Sequence, residues 1–348
     1  MIEQAIYNLE GLYRRYGYLP YKMSRFEEYE LYVRNKDFLV SDQIITFSDR
    51  SGRLLAMKPD VTLSIVKNAP EEPGVVQKVY YHENVYRDYR EILQAGLECV
   101  GDLGAYEIAE VVVLAARSLG MVAERFVLDI SHVGLIGAML DGCGLSPEGK
   151  ILASDCLRRK NLHELKDLCR DYPGAWERLK VLSLCRGSGP EVLPKLEEVA
   201  VSEEEKTALQ ELRALWEILD GSGWGKHIRF DFSVGNDMRY YSGVVFRGYL
   251  EGVPTGVLSG GQYDRLPRKM GRKARAIGFA IYADQLPVED GSFDVDTLIL
   301  HDGTVSPAEL TRAAREAEQT GTVLVSRTVP QGRNYKTLLD LRGGGDRG

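Results

Sequence analysis

Gln94 and Glu98 stand four residues apart within ILQAGLECVG (92–101), a run that reads as a β-strand. The period of two along a strand turns both side chains to one face, so an amide and a carboxylate can line one polar site there. Taken alone, Tyr240 and Tyr241 read as ordinary sheet aromatics. The remaining chemistry-bearing residues form no recognisable reaction centre. His82, His132, His163, His227 and His301 are scattered without metal-ligand spacing. Cys99, Cys143, Cys156, Cys169 and Cys185 are odd in number and contain no C-x-x-C pair, which argues against a zinc site or a disulfide framework and for reduced thiols. No metal and no cofactor is expected. The patterns G-x-x-x-x-G-K-[ST], H-E-x-x-H and G-x-S-x-G are absent. Gly221-Ser222-Gly223-Trp224-Gly225-Lys226 superficially resembles a phosphate loop. It follows a helix and precedes a strand, the reverse of the order that aims a helix N-terminus at phosphate, so it reads as a plain loop. Glu203-Glu204-Glu205 reads as a solvated helix N-terminus.

The elements that must carry these residues follow from periodicity. Residues 2–16 form an amphipathic helix ended by Gly17. IITF (44–47) and RLLAM (53–57) read as a hairpin, followed by a short helix, TLSIVKNA, with Thr62 as its cap. VVQKVYY (75–81) and ILQAGLECVG are two further strands with HENVYRDYRE between them, and residues 105–120 are a helix. RFVLDI (125–130) runs as a strand into a helix around HVGLIGAML. From about 145 to 225 the pattern is a helical insertion rich in Leu, Lys and Glu. Strand patterning returns at 227–234, 239–250 and 253–261, and 274–286 reads as strand into helix. A small C-terminal βαβ domain is expected over 293–342, separate from a core spanning 1–290, with a disordered tail at 343–348. Hairpins outnumber strict βαβ repeats, which predicts an α+β fold with a largely antiparallel sheet.

At 348 residues the chain has the mass for roughly two domains. Its formal charge of −7 argues against a general nucleic-acid binder, whose affinity comes from basic surface. Glu3 and Glu10 interrupt the apolar pattern of the N-terminus, which therefore does not read as a signal peptide, and no apolar run approaches the ~20 residues of a membrane span. A cytoplasmic protein is expected, with no membrane and no nucleic-acid partner.

Four segments in order resemble the catalytic core of class II histidyl-tRNA synthetase: MKPDVTLS (57–64), YYHENVYRDYREILQAGLE (80–98), NDMRYYSGVVFRGYLEG (236–252) with VLSGGQYDRL (257–266), and AIGFAIYADQL (276–286). They correspond to that family's R-P-E-G-T loop, motif 2 hairpin, D-Y-Y-T-G strand with its glycine turn, and motif 3. The resemblance implies a class II synthetase-like antiparallel sheet flanked by helices. It also implies three arginines gripping ATP, work suited to permanently charged planar groups. Two of those positions are Asn236 and Gln285 here. At motif 2, either Arg87 survives before a short hairpin at Asp88-Tyr89 and the loop is truncated, which is the preferred alignment, or the loop is retained and the arginine position falls on Tyr81. Ser24 stands where motif 1 has proline. Adenylate chemistry is therefore not expected.

The positions that hold the amino acid in that family correspond to Asp60, Thr62, Gln94, Glu98, Tyr240 and Tyr241, with Asp60 shortening a glutamate and Arg239 replacing an aspartate. A synthetase-like core without its ATP clamp resembles the regulatory subunit of the short-form ATP phosphoribosyltransferase, as does LDISHVGLIGAML (128–140). That resemblance implies a non-catalytic chain, a homodimer within a larger hetero-oligomer. Its implied partner is the short catalytic subunit, which joins ATP to phosphoribosyl pyrophosphate in the first step of histidine biosynthesis, and histidine is the implied feedback effector. Both the old aminoacyl pocket and a subunit interface remain open as its site. The alternatives are a divergent histidyl-tRNA synthetase-like ligase and a histidine- or tRNA-sensing paralogue without a transferase partner.

Overall fold

The long hairpin at the centre of the molecule is exposed near its turn and buried along its second strand from Gln94 to Gly101, where polar Gln94 and Glu98 alternate with apolar Ala95, Leu97 and Cys99. In the computed structural model, which describes residues 2–39, 43–70, 72, 74–234, 240–287 and 294–342, its strands are Val76–Arg87 and Arg90–Gly101. Both are longer than the sequence pattern indicates. HENVYR continues the first strand, because a two-residue turn at Asp88-Tyr89 brings Arg87 opposite Arg90. Asp88 and Tyr89 have φ of 49° and 61°, the left-handed pair that matches the twist of a tight hairpin. Asn236, Arg239 and the tail at 343–348 lie outside the described residues.

The hairpin belongs to a nine-stranded sheet. Across it lie Leu19–Pro20, the two hairpin strands, Arg275–Tyr282, Leu258–Gln262, Val244–Leu250, Phe126–His132, Ile228–Asp231 and Arg186–Gly187. Among the described residues of this sheet, only the contacts of Leu19–Pro20 with the hairpin and of Phe126–His132 with Ile228–Asp231 are parallel. The sheet is mixed α+β in character and largely antiparallel, as the hairpin-rich pattern predicts. Helix Ala105–Val122 is buried almost all round, from Val111 and Val112 to Leu114 and Ala115, which explains its apolar VVVLAA run. It packs with helix Ile2–Arg15 on one face of the sheet, leaving the opposite face of the central strands to the site.

The region read as a helical insertion holds helices Pro147–Arg159, Leu162–Leu168, Ala175–Leu184, Gly189–Val199 and Glu203–Gly221. The short strand Arg186–Gly187 interrupts them and pairs with Ile228–Asp231. Cys143, Cys156, Cys169 and Cys185 pack in this core as free thiols. Glu205 corrects the solvated reading of its acidic run. It is fully buried, ion-paired to Arg178, while Ser202 caps the helix by accepting from its backbone N–H.

Residues 2–286 form one compact unit and the chain from Pro287 onward another. In the second, strands Val323–Ser326, Val295–Leu300 and Tyr335–Asp340 lie parallel in that order, with helix Pro307–Glu318 between the first two in sequence. The third strand is absent from the βαβ reading, because YKTLLD carries polar residues at its start and end and little alternation. Among the described residues no helix is long and apolar enough to cross a membrane.

Candidate functional site

All six residues singled out in the sequence line one cavity of about 300 Å³ on the open face of the central strands. That volume is at the small end for ligand pockets. Gln94 and Glu98 reach it from the second hairpin strand, as their spacing requires, and both are buried. Asp60 and Thr62 come from the start of the short helix Thr62–Lys67. Tyr240 and Tyr241 form a wall with ring centroids 4.7 Å apart, edge to face.

The roles of Asp60 and Thr62 differ from the expected ones. The cap of the short helix is Asp60, whose Oδ1 accepts from the Leu63 N–H at 3.0 Å. Thr62 is thereby free to turn inward, where its Oγ1 donates to Glu98 Oε1 at 2.8 Å. The other oxygen of Glu98 accepts from the Tyr263 hydroxyl. Among the described residues Glu98 is thus met by two neutral donors and by no cation. Burial pushes its carboxyl up to about 8, with nearby Asp60 acting in the same direction and the two hydroxyls opposing.

Asp60 has a different balance. Burial raises its carboxyl, and the Arg87 guanidinium opposes that rise. Arg87 Nη2 lies 3.4 Å from Asp60 Oδ2 and its Nε donates to the Pro59 carbonyl at 2.6 Å. Arg87 is the one cation lining the cavity among the described residues, and it is already engaged. Lys58, a neighbour in sequence, is fully buried and paired with Glu83. Gln285 sits in a single turn after the Arg275–Tyr282 strand, where its Oε1 accepts from Thr255 at 3.2 Å.

Several lining residues had no role in the sequence reading. Tyr263 lies within the quoted GGQYDRL turn, yet only the fold shows its hydroxyl reaching Glu98. Gly278 is opposite Glu98 in the antiparallel register, and Gly96 is opposite both Tyr81 and Ala280. A Cβ at Gly96 would lie 2.2 Å from the Phe279 carbonyl oxygen and 2.8 Å from the hydroxyl of Tyr81, a lining residue, so glycine there leaves Tyr81 its place at the cavity. Burial raises the phenols of Tyr81, Tyr240 and Tyr263 well above their ordinary range, so they act as neutral hydrogen-bonding groups. The whole arrangement can recognise a small polar molecule. A lining with one engaged arginine among the described residues is poorly suited to a triphosphate.

Sheet topology and pocket together define a class II synthetase-like core. A family model described as histidyl-tRNA synthetase matches residues 1–286. The ATP phosphoribosyltransferase regulatory subunit of Caldanaerobacter subterraneus subsp. tengcongensis is 30% identical over 289 residues, covering 79% of this chain and 75% of the relative. That of Clostridium kluyveri is 28% identical over 292 residues, covering 79% and 74%. A crystal structure from Bacillus halodurans C, described as an ATP phosphoribosyltransferase regulatory subunit/histidyl-tRNA synthetase, is 26% identical with a TM-score of 0.77, over 98% of this chain and 94% of that one. The chain belongs to the histidyl-tRNA synthetase family, among its ATP phosphoribosyltransferase regulatory subunits.

Proposed function

We propose that this chain is the non-catalytic regulatory subunit of a short-form ATP phosphoribosyltransferase, and that its cavity binds the histidine that feeds back on the first step of histidine biosynthesis. Its partner is the short catalytic subunit, which forms phosphoribosyl-ATP. The observation that carries the ligand assignment is Glu98. A buried carboxyl that, among the described residues, is met by two neutral donors and no cation favours a ligand bringing its own positive charge, and the α-ammonium of an amino acid supplies one. Gln94 and the tyrosine hydroxyls then hydrogen-bond the imidazole and the carboxylate, and Arg87 supplies positive charge at the Asp60 end. The cavity volume suits an amino acid and is small for a nucleotide triphosphate. Replacement of the ATP-clamp arginines at Asn236 and Gln285 belongs to the same reading, as do homodimerisation within a larger hetero-oligomer and a cytoplasmic location.

Feedback requires histidine to favour one state of the assembly over another, and a coupling of about 1–3 kcal/mol is enough. Calorimetric titration of the isolated chain with histidine, beside pyrophosphate exchange with ATP and histidine, tests the assignment. Saturable histidine binding without exchange is the expected result. Exchange activity would favour the synthetase-like ligase instead, and absence of binding would remove the ligand assignment.

A further inference from the structure

Three of the rings that wall the cavity sit on two separate segments. Tyr240 and Tyr241 precede strand Val244–Leu250, and Tyr263 follows strand Leu258–Gln262. The segments meet where the rings of Tyr240 and Tyr263 lie 5.8 Å apart, centroid to centroid. Next in the chain, outside the cavity lining, is the buried Asp264.

Asp264 occupies the N-cap of the short helix Arg265–Lys269, where an aspartate ordinarily accepts from the first N–H groups of its own helix. Its side chain makes no such bond. The carboxyl turns back to the sheet instead. Its Oδ1 accepts from the Ala276 N–H at 3.0 Å, and its Oδ2 accepts from Gln262 Nε2 at 2.6 Å and from Arg275 Nε at 3.3 Å. The ladder between Leu258–Gln262 and Arg275–Tyr282 ends with Gln262 opposite Ile277, so the carboxyl gives Ala276 the acceptor that the ladder no longer offers.

These bonds fix the residue before it. The Tyr263 N–H donates to the Ala276 carbonyl at 2.8 Å, so one strand residue holds Tyr263 by its oxygen and Asp264 by its nitrogen. From the other segment, Ser242 Oγ accepts from the Asp264 N–H at 3.0 Å, and the Ser242 N–H donates to the Gln262 carbonyl at 2.8 Å. A Cβ at Gly243 would lie 2.3 Å from Gln262 Oε1, so glycine there leaves Gln262 its place in the network. With its backbone held in this way, Tyr263 directs its hydroxyl to Glu98. Of the titratable groups that face Glu98, which also include Asp60, Tyr81, Tyr240 and Tyr241, Tyr263 is the one next to Asp264 in the chain.

We infer that Asp264 is a positioning residue for the ligand cavity: without touching the ligand, it holds Tyr263 so that the hydroxyl stays on Glu98 and keeps that carboxyl ready for a cationic group. The inference rests on the histidine reading and deepens it by naming a group that tunes the site from behind its wall. The test compares the full chain with Asp264→Asn. An amide has one acceptor oxygen, so asparagine cannot satisfy both the Ala276 N–H and the donors of Gln262 and Arg275. Loss of the Tyr263 hydroxyl from Glu98 removes a bond that favours the ionised form, so the carboxyl should titrate at higher pH than in the parent. Carbon-13 NMR of the ligand-free chain, with the Glu98 carboxyl assigned by its loss in Glu98→Gln, should show that midpoint raised by about half a unit or more. Calorimetry should show histidine bound roughly tenfold more weakly. Tyr263→Phe should reproduce both changes, and the double variant should lie within about threefold of Tyr263→Phe alone, because the two residues act as a unit. A purely structural Asp264 would lower Tm and leave the Glu98 midpoint where it is. An unmoved midpoint, or additive losses of affinity in the double variant, overturns the inference and leaves the histidine reading standing. If the parent chain binds no histidine but the midpoint moves in Asp264→Asn, the histidine reading falls and the positioning role remains. If Asp264→Asn does not fold, Ser242→Ala, which removes the acceptor of the Asp264 N–H, decides by the same midpoint.

Discussion

Glu98 and Gly278 face each other across two antiparallel strands so closely that a Cβ on Gly278 would lie 1.7 Å from Glu98 Oε2 and 2.5 Å from the Leu97 carbonyl oxygen. The carboxyl at the floor of the cavity therefore occupies space that only a glycine on the neighbouring strand leaves open.

Gly278→Ala should displace Glu98 from Thr62 and Tyr263. Overpacking of this kind costs about 1–3 kcal/mol. Urea denaturation should show that loss, and calorimetry should show histidine binding weakened at least tenfold.

The raised carboxyl of Glu98 makes stability depend on pH in a defined direction. Below its ordinary value of 4.5, both folded and unfolded chains carry the proton and no difference arises. Between 4.5 and about 8 the unfolded chain has released the proton and the empty folded chain retains it, so stability falls as pH rises. The slope from this group is at most about 1.4 kcal/mol per pH unit. Glu98→Gln should flatten the fall in Tm between pH 5 and 8. In buffers of different ionisation heat, histidine binding near pH 7 should release a proton from the parent chain, and that release should vanish in E98Q.

Arg87→Met removes the cation beside buried Asp60. Breaking a buried pair by deleting one partner costs about 3–5 kcal/mol, because the remaining charge is uncompensated. Protonation of Asp60 relieves that charge, so the cost should shrink in acid. Urea melts of parent and variant at pH 8 and pH 5 give the comparison, and an equal loss at both values would contradict the pairing.

At the hairpin turn, Asp88 and Tyr89 both occupy the left-handed region, and Tyr89 is highly exposed. Left-handed backbone costs an ordinary residue roughly 1–2 kcal/mol, and Asn-Gly relieves most of it. Asp88→Asn with Tyr89→Gly should therefore raise stability by about 1 kcal/mol and leave histidine affinity unchanged.

These residues also mark what the sequence could disclose. Strand period alone places Gln94 and Glu98 on one face, and both line the cavity. The family motifs lead to Asp60, Thr62, Tyr240 and Tyr241, though Asp60 takes the capping role expected of Thr62. Gly278 and Tyr263 owe their roles to cross-strand register and to the fold of a turn, and neither is encoded in local pattern. Glu205 looks like one of three solvated acids until Arg178, from another helix, is brought beside it. The edge strand Tyr335–Asp340 is defined by its pairing with Val295–Leu300, not by alternation of its own.

The most direct test is the rate of phosphoribosyl-ATP formation by the short catalytic subunit as this chain is titrated in, with and without histidine. A saturable rise in rate that histidine reverses is the predicted outcome. A rate that does not respond to the added chain, or a rise that millimolar histidine leaves untouched, would contradict the account.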